Sequence, residues 1–185
     1  MYKRQEYDAA FGAKFDEVYE NAYIKLPEQR YEFPRVSHCF MEPHVNVVEP
    51  LTDGGIEVWA SEQGGRLVKY SMSAAFGLKP SDFHMHVPFM GGGFGGKDDC
   101  PVTGPCIMLA LKSHRPVKIV QTREEVFSNG TPRPGGAIYV KDAFNKDGSL
   151  AARKVTAFIN CGAYTTSALV MLDHSVYGVS GNYRN

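Results

Sequence analysis

Phe83-His-Met-His-Val-Pro-Phe-Met-Gly91-Gly-Gly-Phe-Gly-Gly-Lys97-Asp98 is the stretch whose reading decides the fold. Phe83–Val87 alternates apolar and polar positions, which predicts a strand. Five glycines occupy the six positions Gly91–Gly96. Beyond them, Thr103–Ser113 carries Pro105 in its first turn and Ile107, Met108, Leu109 and Leu111 for packing, which predicts a helix. Strand, glycine loop and helix in that order invite two nucleotide readings. Gly91, Gly93 and Gly96 satisfy GxGxxG, and the run to Lys97 satisfies GxxxxGK. A phosphate-binding loop needs Ser or Thr after its lysine to ligate magnesium, and here Asp98 would repel the phosphates. A dinucleotide fold wants an acidic residue at the end of the next strand, and Pro116–Val120 runs into Gln121-Thr122 instead. The physics common to both readings survives. Glycines tolerate positive φ and leave N–H groups bare, so the loop can donate several hydrogen bonds to an anionic oxygen or sulfur ligand. Phe94 can pack against whatever the loop approaches.

Upstream, Arg66–Phe76 has the spacing of an amphipathic helix, stopped by Gly77. Ile56–Ala60 alternates and reads as a strand, as does the β-branched run Val45–Val48. Trp59 is expected in the core. Phe15–Leu26 reads as a strand on Val18, Tyr19, Tyr23 and Ile24. Pro27–Pro34 reads as a linker, and residues 1–14 as a disordered N-terminal segment. Downstream, Pro116–Val120 is a strand, and Thr122 with Glu125 forms a capping box for a helix Arg123–Phe127. Ala137–Phe144 and Leu150–Cys161 flank Asp147-Gly148, a hairpin signal. The expected fold is α+β, with mixed sheets and packed helices, in a single partial domain spanning 1–185.

Composition narrows the function. The chain has 185 residues, 20 basic and 20 acidic, for zero formal net charge. It has no basic excess for neutralising phosphates, which argues against general nucleic-acid binding. The longest apolar runs are too short to span a membrane, and Met1-Tyr-Lys-Arg-Gln-Glu6 lacks a signal-peptide core. A cytoplasmic location is expected. Cys39, Cys100, Cys106 and Cys161 include no CxxC pair, so neither zinc nor an iron–sulfur cluster is expected. His38, Glu42 and His44 would share a face only on a continuous strand, which Pro43 disfavours. His84 and His86 are expected to serve packing and hydrogen bonding.

Glu42-Pro-His44, Ile56-Glu-Val-Trp-Ala-Ser-Glu-Gln63, Gly91-Gly-Gly-Phe-Gly-Gly-Lys97, Arg115-Pro-Val-Lys118, Thr122-Arg-Glu-Glu125 and Gly162-Ala-Tyr164 occur in one order. As a set, from about residue 15 onward, they resemble the molybdenum-binding subunit of the xanthine dehydrogenase and aldehyde oxidase family. The resemblance implies hydroxylation of an N-heterocycle or aldehyde with oxygen from water. It implies a molybdenum–molybdopterin cofactor, as such or as its cytosine dinucleotide, with the metal held by the pterin dithiolene and not by protein side chains. Electrons would pass to iron–sulfur clusters and FAD on partner domains or subunits. Gln63 matches the glutamine beside the metal's apical oxo ligand, a neutral donor suited to that place. Gly92, Gly93, Phe94 and Gly95 match the loop packed on the metal centre. Asp98 falls where xanthine-oxidising members carry a glutamate that contacts the purine, and the shorter acid weakens the case for xanthine itself. Lys97 is expected to be a structural or surface charge.

The resemblance also implies what lies elsewhere. The family's general base, a late glutamate, and its Ala-Phe-Arg-Gly loop fall downstream of the point matching Asn185, so no catalytic residue is expected in this chain. The partners expected are the remainder of the subunit, an iron–sulfur subunit and an FAD subunit. The chain alone is expected to be inactive, with an apolar face that favours self-association. Two other readings stay open, a binding or scaffold module that kept the fold, and a nucleotide-binding domain built on the glycine loop.

Overall fold

The computed structural model describes residues 2–10, 14–98, 100–165 and 168–179. The chain is α+β and divides into two compact units: residues 1–36 with 134–185, and the continuous segment Ser37–Arg133 inserted between them.

The first unit is built on a long hairpin. β8 (Gly135–Phe144) and β9 (Leu150–Asn160) pair antiparallel over nearly their full length. Gly148, at φ +84°, closes the turn, with Gly148 N–H donating to the Asn145 carbonyl. Arg153 grips Asp142 across the hairpin with two hydrogen bonds of 2.8 Å. β1 (Tyr2–Ala10) runs antiparallel along β9, so backbone pairing orders part of a segment expected to be disordered. Two further elements correct the sequence reading. Phe15–Asn21 is a helix, α1, not the first half of a strand. Phe15 and Tyr19 are four apart, so both point to one helix face, where their rings stack at 5.3 Å over Ala143, Ala151 and Ala152. Only Ile24–Lys25 remains strand, β2, paired with β8. The expected linker contains β3 (Gln29–Phe33), also on β8. Its prolines bracket the strand at the sheet edge, where a missing N–H costs nothing. α5 (Ala168–Val179) completes this unit.

The second unit carries a four-stranded sheet in the order β6-β5-β4-β7, formed by β4 (Val45–Pro50), β5 (Ile56–Ala60), β6 (Phe83–His86) and β7 (Val117–Val120). β5 and β6 are parallel, joined by α2 (Gly65–Phe76), which ends on Gly77 in the left-handed conformation. The other pairs are antiparallel. α3 (Thr103–Ser113) packs on β4 and β7, burying Cys106, Ile107 and Ala110 against Val48, Ile56, Val58 and Phe83. α4 (Arg123–Asn129) opens with the expected capping box on Thr122 and Glu125. Strand parity corrects one expectation. Ile56, Val58 and Ala60 point inward, so Trp59 points outward with Glu57; it is 37% exposed and stacks on His86 at 5.2 Å.

No helix among the described residues is long and apolar enough to cross a membrane.

Candidate functional site

Parallel pairing decides where the chemistry gathers. β5 and β6 run the same way, so the connections leaving them, 61–64 and 87–102, emerge at one end of the sheet. β4 is antiparallel to β5, with Asn46 opposite Ala60, which brings the segment before β4 to the same end. Three stretches far apart in sequence meet there: 38–44, 61–63 and 91–98.

Gln63 sits on the connection from β5 to α2, exposed, after the buried Ser61 and Glu62. Its backbone N–H donates to the Lys97 carbonyl at 2.8 Å. Its side-chain Oε1 accepts from Gly95 N–H at 2.8 Å and Lys97 N–H at 3.2 Å. Two donors aimed at one atom identify that atom as the oxygen. The Gln63 amide is therefore fixed by its acceptor, and its NH2 group donates to no protein group among the described residues.

The loop that holds Gln63 is tightly wound. Gly92, Phe94 and Gly95 have φ of +97°, +56° and +86°, and Gly96 N–H closes the turn onto the Gly93 carbonyl at 2.9 Å. A Cβ on Gly93 would lie 2.4 Å from Gln63 Oε1, so only glycine permits this approach. On the other side, a Cβ on Gly96 would lie 2.6 Å from His38 Nδ1. Phe94 stands out of the loop, 73% exposed. The N–H groups of Gly92, Gly93 and Phe94 donate to no protein acceptor among the described residues, whereas that of Gly95 is taken by Gln63. Asp98 is exposed at the end of the loop, its N–H 3.5 Å from the Gly95 carbonyl.

Beneath the loop lies charge. Lys97 is fully buried, its Nζ donating to Glu42 Oε2 at 2.7 Å and Ser61 Oγ at 2.5 Å, above the Phe40 ring at 4.9 Å. Glu42 Oε2 also accepts from Ser61 Oγ at 2.6 Å and Gly91 N–H at 3.0 Å. Burial alone would raise the Glu42 carboxyl, but the hydrogen bonds from Lys97, Ser61 and Gly91 outweigh it and hold the group at about 2. His44 is fully buried behind this pair, and neither ring nitrogen has a hydrogen-bond partner among the described residues. Burial, with Lys97 and Arg123 nearby, lowers its pKa to about 4.

The structure thus brings Gln63, Gly92, Gly93, Phe94 and Gly95 together, with Asp98 at the margin. The nucleotide reading of the glycine loop fails on geometry. Lys97 is spent on Glu42 and Ser61 and cannot reach a phosphate, and α3 starts only at Thr103, so no helix N-terminus follows the loop directly. His38 and His44 do not lie on one strand, because β4 begins at Val45. No cluster of three or more His, Cys, Asp or Glu able to hold a metal occurs among the described residues. Sequence reasoning overlooked Glu42 and Ser61 as partners of the loop. The available signal was the lysine: a lone cation closing a run of glycines needs an anion from another segment once it is buried.

Comparison with known proteins identifies the family. Residues 2–185 match the molybdopterin cofactor-binding domain family. The chain is 37% identical over 157 residues to a probable xanthine dehydrogenase subunit of Bacillus subtilis strain 168, covering 85% of this chain and 21% of that protein. It is 30% identical over 156 residues to the nicotinate dehydrogenase large molybdopterin subunit of Eubacterium barkeri, covering 84% and 37%. The chain thus spans well under half the length of these relatives. Its fold is similar to the aldehyde oxidoreductase of Desulfovibrio gigas, with a TM-score of 0.73 at 23% identity over 80% of this chain and 16% of that one.

Proposed function

The chain belongs to the molybdopterin cofactor-binding domain family, and from that premise we propose that it forms the part of a molybdenum hydroxylase's large subunit that lines the metal-bearing end of the cofactor. The observation that carries this is the Gln63 amide. Its oxygen is spent on the backbone of the glycine loop, and among the described residues its NH2 has no protein acceptor, nor do the N–H groups of Gly92, Gly93 and Phe94 beside it. A cluster of neutral donors at one end of a sheet fits a ligand that is rich in oxygen and sulfur acceptors and carries negative charge.

The cofactor fits these residues. Gln63, Gly92, Gly93 and Phe94 would hold its metal-bearing end by neutral donation. When bound, the cofactor supplies a centre that transfers water-derived oxygen to a substrate carbon and accepts two electrons. The residues of this chain orient and exclude. Gly93 lets the loop close onto Gln63. Phe94, exposed and held at positive φ, presents an apolar surface for an aromatic substrate. Asp98 offers a carboxylate to a ring N–H at the edge of the site. The general base and the remaining cofactor contacts are assigned to the rest of the subunit, and iron–sulfur and FAD groups to partner domains or subunits. An N-heterocycle is favoured as substrate, because two relatives at 30% identity or more are named for xanthine and nicotinate.

The test is the complete subunit, produced with its partners and cofactor machinery. Metal analysis should find molybdenum, and nicotinate or xanthine should be hydroxylated with label from 18O-water in the presence of an electron acceptor. A subunit without molybdenum would reject the cofactor assignment and favour a scaffold that kept the fold. A molybdenum-loaded enzyme that oxidises only aldehydes would reject the heterocycle.

A further inference from the structure

Lys97 and Glu42 form a clasp centred on one oxygen. Glu42 Oε2 receives Gly91 N–H at one end of the glycine loop, Lys97 Nζ at the other end, and Ser61 Oγ, two residues before Gln63. Lys97 Nζ closes the figure by donating to Ser61 Oγ, and the backbone of Lys97 grips Gln63 from both sides. The three segments are far apart in sequence; outside the clasp, Glu42 N–H also donates to the Gly91 carbonyl at 3.2 Å, and Ser61 N–H donates to the Val45 carbonyl at 3.0 Å at the end of the β4–β5 pair. Without the clasp, only Gly95 N–H, Lys97 N–H and the Lys97 carbonyl would tie the loop to Gln63.

The geometry points to Lys97 and Glu42 as positioning residues. Their ion pair, fully buried on the lysine side, sets the distance between the glycine loop and the Gln63 amide, and so aims the free donors of both at the cofactor. This inference rests on the function proposed above. A structural charge pair would be replaceable by apolar groups of similar volume at little cost in stability. A positioning pair is not replaceable in that way, because an apolar substitute fills the space but ties nothing. A displacement of about 1 Å at such a site costs on the order of 100-fold in rate.

The experiment uses the complete subunit and three forms: wild type, Lys97→Met, and Lys97→Met with Glu42→Gln. Lys97→Met removes the ammonium and keeps an unbranched apolar stem. The double variant also removes the stranded carboxylate, so a loss of folding caused by that charge is relieved. Four quantities are read: melting temperature, molybdenum per subunit, kcat against KM, and hydrogen exchange of the peptide carrying Gly91–Lys97. In Lys97→Met, kcat is expected to fall by about 10- to 100-fold with KM changed by less than about 3-fold. Loop exchange should speed by about 10-fold. In the double variant, melting temperature should recover toward wild type while kcat stays low. Recovery of kcat together with melting temperature would overturn the inference, as would wild-type kcat and loop exchange in molybdenum-loaded Lys97→Met. If the wild-type subunit carries no molybdenum, the proposed function fails, and the clasp is judged by loop exchange alone: faster exchange upholds it and unchanged exchange overturns it.

Discussion

At the residue scale the site is governed by close approach. Gly93 faces Gln63 Oε1 with no room for a Cβ, so Gly93→Ala must move the loop, the amide or both. In the complete subunit, kcat is expected to fall by about 10- to 100-fold, comparable to Gln63→Ala; a fully active Gly93→Ala enzyme would show that the orientation of Gln63 is dispensable. His44 makes a separate prediction. Folded, it stays neutral down to about pH 4, whereas an unfolded imidazole takes its proton near 6.5. The unfolded state therefore binds more protons between those values, and the contribution of His44 is complete above about pH 6.5 and lost as pH falls toward 4. His38, also lowered by burial, acts in the same direction. Urea unfolding of the 185-residue chain from pH 7 to pH 4.5 should show declining stability, and His44→Leu should flatten most of the slope. A wild-type stability independent of pH in that range would contradict a buried neutral His44.

At the element scale, helices announce themselves where local chemistry is complete and hide where it is mixed. α4 was legible because Thr122 and Glu125 cap it by themselves. Thr122→Ala is expected to cost about 1 kcal/mol, measured by urea unfolding. α1 was misread because Val18, Tyr19, Tyr23 and Ile24 favour strands by composition. The decisive feature was the spacing of Phe15, Tyr19 and Ala22, which suits a helix lying on the hairpin. Phe15→Ala should cost about 3–5 kcal/mol, because it empties a buried position between the helix and the β8–β9 alanines. A loss below about 1 kcal/mol would mean that α1 contributes little to that unit.

At the scale of the whole molecule, the continuous segment Ser37–Arg133 contains its own sheet, helices and core, together with Gln63, the glycine loop and the clasp. Expressed alone it is expected to unfold cooperatively in urea with a circular-dichroism spectrum of mixed helix and sheet. A broad, non-cooperative transition would show that its core needs the flanking unit. The 185 residues by themselves are expected to catalyse no hydroxylation, since they span about a fifth of the Bacillus subtilis relative. Turnover by the chain alone would place a complete catalytic apparatus within it.

Sequence by itself determined the parts whose physics is local. Alternation marked β5 and β6, the Asp147-Gly148 turn marked the hairpin, and the glycine run marked a donor-rich loop, since each depends on neighbours along the chain; Gln63 stood out only through the resemblance to the family. Tertiary structure alone decided the rest. Whether Trp59 faces in or out depended on which strand face met α2 and α3. The nucleotide reading fell because Lys97 found a carboxylate 55 positions away in sequence. The free NH2 of Gln63 followed from two backbone donors supplied by another connection. The last two outcomes rest on parallel pairing of β5 with β6 and antiparallel pairing of β4 with β5, which together gather three distant segments at one sheet end. A burial site and its partners are properties of that gathering, and no single stretch of sequence contains them.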